Sequence, residues 1–395
     1  MSRDDLAASG RVLLLWVAGL GAAGQFAKIA VIFPELEAVY PGAGPQLGFL
    51  LSLISLVGVV FGLGAGMAVA RLDGRRLLIA ALALGAGLSA FQATLPPFPV
   101  MLASRVVEGL AHLVIVVAAP TLIAGIAPPA SRGLALSLWS TFFAVTFALA
   151  GLAGPPIAAA HGPAALFVIH AGLMAAIAVA LAVALPAGAA ALPPAAAGTV
   201  PGGLLARQAA VYRDPSAAAP ALGWFFYTLA FVALLTVLPP RLAPEVRVLA
   251  ATLRPLGAIA VSMMLGVRLM RRRPAVRVVM LGFGAALLLS AGLALAPMAA
   301  WPPIAVFAAL GLVQGPSFAA VAQLNPGEAD RARANGALAQ TGNLGNLLGT
   351  PLLLALAGVA GHTGLVLFAA LSFGLGLAVH AGFALRRRDA RDTGR

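Results

Sequence analysis

Residues 99–126 read PVMLASRVVEGLAHLVIVVAAPTLIAGI, 28 residues whose only ionisable members are Arg105, Glu108 and His112. As a helix rising about 1.5 Å per residue, such a run crosses a hydrocarbon core of roughly 30 Å. A charge at that depth is expensive, so each one calls for a partner or a ligand. Lys28, the only lysine in the chain, and Arg254 interrupt other apolar runs in the same way. Against these three cations the apolar runs offer one acid, Glu108. The excess of positive charge points to an anionic ligand.

The whole chain has this character. Hydrophobic residues make up 61% and charged residues 9%, with a mean hydropathy of +1.01. Soluble domains carry about a quarter charged residues, so this is an integral membrane protein. Apolar runs long enough to span fall at 11–33, 45–70, 77–95, 99–126, 134–160, 163–186, 219–239, 247–269, 275–297, 301–324, 334–358 and 363–385. Strand-like alternation is missing, and Gly and Ala are dense. This favours an all-α bundle of twelve helices over a barrel, because small residues let helices approach closely.

Charge placement sets orientation. With Lys28, Arg105 and Arg254 set aside and the N-terminus inside, 20 of the remaining 22 basic residues lie on the cytoplasmic side, and only Arg241 and Arg247 lie outside. Both termini are therefore expected in the cytoplasm, with the chain in a bacterial inner membrane. The sequence pI near 11.7 reflects this topology. No basic run is interleaved with aromatics, which argues against nucleic acid as a partner. The first span is too long for a signal peptide and is expected to remain as an anchor. Phe33-Pro34 is expected to end the first helix at the outer surface, with Glu35 and Glu37 solvated. The chain contains no cysteine, so thiolate chemistry and disulfides are excluded, and the scattered histidines form no metal pattern. No cofactor is expected.

Residues 187–218, rich in Ala, Pro and Gly, form the one long connection. They divide an N-terminal six-helix bundle (1–186) from a C-terminal one (219–395) that ends in a basic cytoplasmic tail. Leu204 to Tyr212 fits a short helix on the inner membrane face or an unstructured linker. The halves resemble each other in register. Gly66 and Arg71 match Gly266 and Arg271, while Glu108, Gly109 and Pro120 match Gln314, Gly315 and Pro326. Such a duplication lets two halves rock about a site between them.

These features, with three motifs in order, resemble the major facilitator superfamily along nearly the whole chain. The loop signature between helices two and three appears as Gly66-Met-Ala-Val-Ala70-Arg71-Leu72-Asp73-Gly74-Arg75-Arg76. Ala70 stands where that family carries an acid, and Asp73 supplies a carboxylate three residues later. The fourth-helix stretch Arg105-Val-Val-Glu108-Gly109 is similar to the family's Arg-x-x-Gln-Gly, with Glu replacing Gln. Gly154-Pro155 resembles the motif of exporting members. The resemblance implies two pseudo-symmetric six-helix bundles, transport by alternating access, and a gating role for Arg71, Asp73 and Arg75. The stretch around Arg105 is also similar to cyanate and nitroimidazole permease relatives.

Arg105, Glu108 and His112 fall at i, i+3 and i+7 and stack along one helix face. Glu108 reads either as a protonatable coupling group or as the static partner of Arg105. His112 reads as a helix-contact residue or a proton relay. Lys28 lies about 17 residues past Arg11, roughly 25 Å along the helix, and Arg254 lies early in a descending helix. Two cations at one level can clamp a carboxylate, Arg254 with a fork and Lys28 as a point charge. A Lys in helix one with an Arg in helix eight is similar to the arrangement in monocarboxylate transporters, although Ala250 replaces their acid. Gln340 and Asn343, among glycines of helix eleven, read as ligand contacts or as polar glue. Gln25 and Tyr227 are secondary cavity candidates.

The sequence thus predicts a monomeric secondary transporter of a small organic or inorganic anion, driven by protons or by exchange. The competing reading is a proton-driven exporter of drug-like or amphipathic compounds. No acid pair, nucleophile motif or phosphate loop supports an enzyme.

Overall fold

The structure, a computed structural model, describes residues 3–62, 73–128, 131–185, 209 and 211–392. Gly66, Ala70 and Arg71 of the loop signature, and Leu204, lie outside them. Contacts divide the chain into two units, Met1–Ala195 and Ala196–Arg395.

Unit 1 contains α1 (Arg3–Ala30), α2 (Phe33–Val39), α3 (Gly44–Gly62), α4 (Gly74–Gln92), α5 (Phe98–Ile126), α6 (Arg132–Trp139), α7 (Phe142–His161) and α8 (Ala164–Ala184). The first helix ends earlier than expected, at Ala30. Pro34 then sits in the first turn of α2, where its missing N–H has no intrahelical partner to lose. Pro34 therefore starts a helix instead of ending one. Glu37 is exposed as expected, but Glu35 is only partly so, and one of its carboxylate oxygens is buried. The span expected at 134–160 is divided at Ser140 and Thr141, where Thr141 Oγ1 turns back to Leu138 O at 2.7 Å and accepts from Trp16 Nε1 at 3.2 Å. A side-chain hydroxyl that competes for backbone partners loosens a helix at that point. Gly109 of α5 faces the carbonyl of Ile54 so closely that any Cβ there would collide with it.

Unit 2 contains α9 (Pro215–Val237), α10 (Arg247–Val261, extended through a π turn at Ser262–Gly266 to Met270), α11 (Ala275–Leu295), α12 (Trp301–Leu324) and α13 (Glu328–Asp392). Asp214 caps α9 by accepting from Ser216 N at 2.9 Å. The π turn lies against Gly311 and Gly315 of α12, and Gly311 approaches the backbone of Ala258 and Ser262. Wide turns of this kind bend a helix where a neighbour comes close.

Eleven described helical segments are long and apolar enough to span, and the last, Arg333–Arg388, has 56 residues. A straight helix of that length would reach about 80 Å, far beyond a bilayer. Gly361, at φ 57 and ψ −134, breaks it into two limbs, so the expected twelve spans stand. Glycine is required at that backbone angle.

The first limb of α13 packs on α9 through three glycines. Gly342 faces Trp224, Gly345 faces Thr228 and the Phe225 carbonyl, and Gly349 faces the Leu229 backbone. Close backbone approach replaces the hydrophobic drive that lipid removes. Gly345→Leu should therefore destabilise the protein by about 1–3 kcal/mol. Gly358→Ala, at a position with open space around it, should leave stability unchanged or raise it slightly. An SDS-unfolding titration of both variants checks this.

Candidate functional site

Lys28 lies in the last turn of α1 with 4% of its surface exposed. Its ammonium is saturated. Nζ donates to Ser89 Oγ at 2.5 Å, Gln92 Oε1 at 2.7 Å and Glu108 Oε1 at 2.7 Å, and the ring of Phe167 lies 5.3 Å away. Ser89 and Gln92 share one face of α4 at i, i+3, while Glu108 comes from α5. One side chain thereby ties three helices together.

Glu108 holds two cations, one on each carboxylate oxygen. Lys28 occupies Oε1, and Arg105 Nη1 pairs with Oε2, which also accepts from Gln92 Nε2 at 2.8 Å. The remaining Arg105 donors reach backbone carbonyls, Nε to Leu50 O at 2.6 Å and Nη2 to Gln25 O at 2.9 Å. The i, i+3 spacing of Arg105 and Glu108 does bring them together. Gln92 Nε2 also donates to Ser104 Oγ at 3.1 Å, whose hydroxyl donates to Met101 O at 2.6 Å. A buried pair is viable only when its spare hydrogen-bonding capacity is used in this way.

His170 of α8 closes the network, with Nδ1 2.7 Å from Ser89 Oγ and Nε2 2.9 Å from Gly21 O. Gly21 and Gly24 of α1 make room for this face. A Cβ at Gly24 would lie 2.7 Å from His170 Cδ2. His112 is placed by Gln25 Oε1, 3.0 Å from its Nδ1, and by the edge of Phe26 at 5.1 Å. Gln25 Nε2 is buried without a hydrogen-bond partner among the described residues. An unpartnered buried donor is costly and awaits an acceptor.

In unit 2 Arg254 is buried and takes part in none of the ion pairs among the described residues. Nε donates to Ala250 O at 2.9 Å, Nη1 to Leu234 O at 3.0 Å and Nη2 to Leu235 O at 3.2 Å, with Phe307 5.3 Å from the guanidinium. Leu234 and Leu235 belong to the last turn of α9, where Leu234 O also accepts from Leu238 N at 3.2 Å and the helix dipole favours a cation. Tyr227 is stacked between Trp224 at 4.5 Å and Phe231 at 5.0 Å, and its buried hydroxyl has no hydrogen-bond partner among the described residues. Gln340 accepts from Tyr212 OH at 2.9 Å, which ties the end of the connection to α13. Asn343 Nδ2 donates to Ala339 O at 2.9 Å within its own helix.

At the loop signature, Asp73 caps α4 by accepting from Arg75 N at 3.0 Å and Arg76 N at 3.2 Å. Arg75 donates to Ala182 O at 2.6 Å and Leu185 O at 2.8 Å, at the C-terminal end of α8. Arg71 lies outside the described residues.

Lys28, Gln25, Arg105, Glu108 and His112 thus meet in unit 1. Ser89, Gln92, Ser104 and His170 complete that network and were not singled out from the sequence. The polar pair Ser89 and Gln92 on an otherwise apolar helix face was the available signal.

The profile of the Major Facilitator Superfamily matches residues 15–350. A bacterial homolog to the human lysosomal transporter Spinster, solved in an inward-facing and unoccupied conformation, superposes with a TM-score of 0.73 at 15% identity, covering 97% of this chain and 97% of that one. The fucose:proton symporter FucP of E. coli gives a TM-score of 0.64 at 17% identity, over 94% of this chain and 98% of that one. At such identities the likeness carries the fold alone. No well-characterised protein matches by sequence.

Glu108→Gln would leave Lys28 and Arg105 facing a neutral amide and should destabilise the protein by about 3–5 kcal/mol. Lys28→Met combined with Glu108→Gln should recover part of that loss. Unfolding titrations of the two single variants and the double variant read the coupling.

Proposed function

We propose that this chain, which belongs to the Major Facilitator Superfamily, carries a small anion of the carboxylate type across the membrane by alternating access. The observation that carries this reading is the shared carboxylate, since Glu108 answers both Lys28 and Arg105. One positive charge in the interior of unit 1 is then left over. Arg254 adds another in unit 2, softened only by carbonyl dipoles and an aromatic face. A buried net positive charge is stabilised when an anion arrives. The orphan donor on Gln25 favours a cargo rich in acceptors.

Glu108 supplies the mechanism. Its Oε1 occupies a donor of Lys28 that an incoming carboxylate would use, so cargo and Glu108 compete for one ammonium. Protonating Glu108 withdraws the internal competitor, which couples cargo to a proton. An exchanger follows if a second anion does the displacing. Both termini in the bacterial cytoplasm fit the distribution of arginines flanking the spans, and the chain acts as a monomer, as transporters of this family commonly do.

Acetate and lactate should raise the melting temperature of the purified protein, and acetamide and lactamide should not. Anion uptake into proteoliposomes should vanish in Lys28→Ala and in Arg254→Ala. Dye efflux that survives both substitutions would instead assign the protein to export of amphipathic compounds.

A further inference from the structure

With His170 neutral, the hydrogen bonds around Ser89 run in one direction. Gly21 O can only accept, so the His170 Nε2 atom 2.9 Å from it carries a hydrogen. In the neutral ring Nδ1 is then the acceptor, and the Ser89 hydroxyl 2.7 Å away donates to it. Ser89 Oγ has only its lone pairs left for Lys28, which donates at 2.5 Å. The result is a one-way chain from Lys28 Nζ–H through Ser89 O–H to His170 Nδ1.

We propose that Ser89 and His170 form a proton relay through which Lys28 sheds its charge inside unit 1. One Nζ proton passes to Ser89 Oγ as the Ser89 hydroxyl proton passes to His170 Nδ1. Lys28 becomes a neutral amine and His170 an imidazolium, while Ser89 keeps one hydrogen and the total charge is unchanged. Every contact survives with its polarity reversed. Nδ1–H now donates to Ser89 Oγ, the Ser89 hydroxyl donates to the Nζ lone pair, and the two remaining amine hydrogens stay on Gln92 and Glu108. One N–H and one O–H bond break as one O–H and one N–H bond form, and no hydrogen-bonded contact is lost because the Ser89 hydroxyl both donates and accepts.

The surrounding charges give the step a purpose. The charged and titratable groups around Lys28 are Glu108 and Arg105 from α5 and His170 from α8, while α4 contributes the neutral Ser89 and Gln92. Once the charge has moved to His170, Glu108 is matched one-to-one by Arg105, and the imidazolium rests on Gly21 O. A carboxylate held by the ammonium would be released at that moment, a consequence that rests on the anion reading above.

The test needs no cargo, so its failure and that of the anion reading are separable. Lys28 is the only lysine and His170 one of five histidines. Protein in nanodiscs, labelled with nitrogen-15 at lysine Nζ and the histidine rings, therefore gives one ammonium signal, and His170 is identified by its loss in His170→Gln. Neutral His170 should carry its hydrogen on Nε2. Exchange of the Lys28 Nζ protons with water should slow by about 100-fold in Ser89→Ala. It should slow similarly in His170→Gln, whose amide oxygen can accept from Ser89 but cannot take up a proton. Ser89→Thr, which keeps the hydroxyl, should exchange as the native protein does. A hydrogen on Nδ1 instead, or native exchange rates in folded His170→Gln, would overturn the relay. If Ser89→Ala does not fold, those two readings decide alone.

Discussion

A single carboxylate shared between two buried cations governs the organisation of unit 1. Removing Lys28, Arg105 and Glu108 from water costs several kcal/mol per ion, and only close pairing with full hydrogen bonding offsets that cost. The constraint propagates outward. Arg105 must reach Leu50 O and Gln25 O to use its remaining donors, which fixes α5 against α3 and α1. Gly109, one residue past Glu108, lets α3 come close enough to present the Leu50 carbonyl. Lys28 fixes α1 against α4, and His170 brings α8 to the same point. The polar centre therefore sets the register of five helices, and apolar packing fills in around it.

Unit 2 handles a buried cation differently. Among the described residues Arg254 has no acid to meet, and it instead binds carbonyls of the C-terminal turn of α9, where the helix dipole acts as a diffuse counter-charge. Phe307 adds the face of its ring. Dipoles stabilise a charge without cancelling it, so the guanidinium still projects a positive field. Its fork is also held by Leu234 O and Leu235 O, so any movement at the end of α9 would disturb the guanidinium.

Much of this was legible in the chain because it is local or compositional. Span number follows from apolar run length, and the Arg105 and Glu108 contact follows from i, i+3 spacing. Breaks set by side chains were harder to read. Thr141 divides one expected span through the bond of its hydroxyl to Leu138 O, and Pro34, expected to end the first helix, begins the next one. The partners of Lys28 could not be read at all, because α1, α4 and α5 meet through residues separated by 61 to 80 positions. Its charge suggested a ligand, and the structure adds a partner within unit 1, the acid on α5. Ser89 and His170 are unremarkable one at a time, and only their mutual geometry with Gly21 O gives them direction.

Saturation of Lys28 has a consequence for selectivity under the anion reading. An ammonium whose three hydrogens already lie on Ser89, Gln92 and Glu108 cannot add a ligand; it can only exchange one acceptor for another. A neutral acceptor displacing Glu108 would lose an ion pair in a medium of low dielectric and gain only a dipole, a net loss by Coulomb's law at these distances. A carboxylate cargo replaces like with like, so the exchange is close to isoenergetic and can run in either direction. Discrimination between anions and their neutral analogues then needs no additional pocket. It follows from a cation that is never left free.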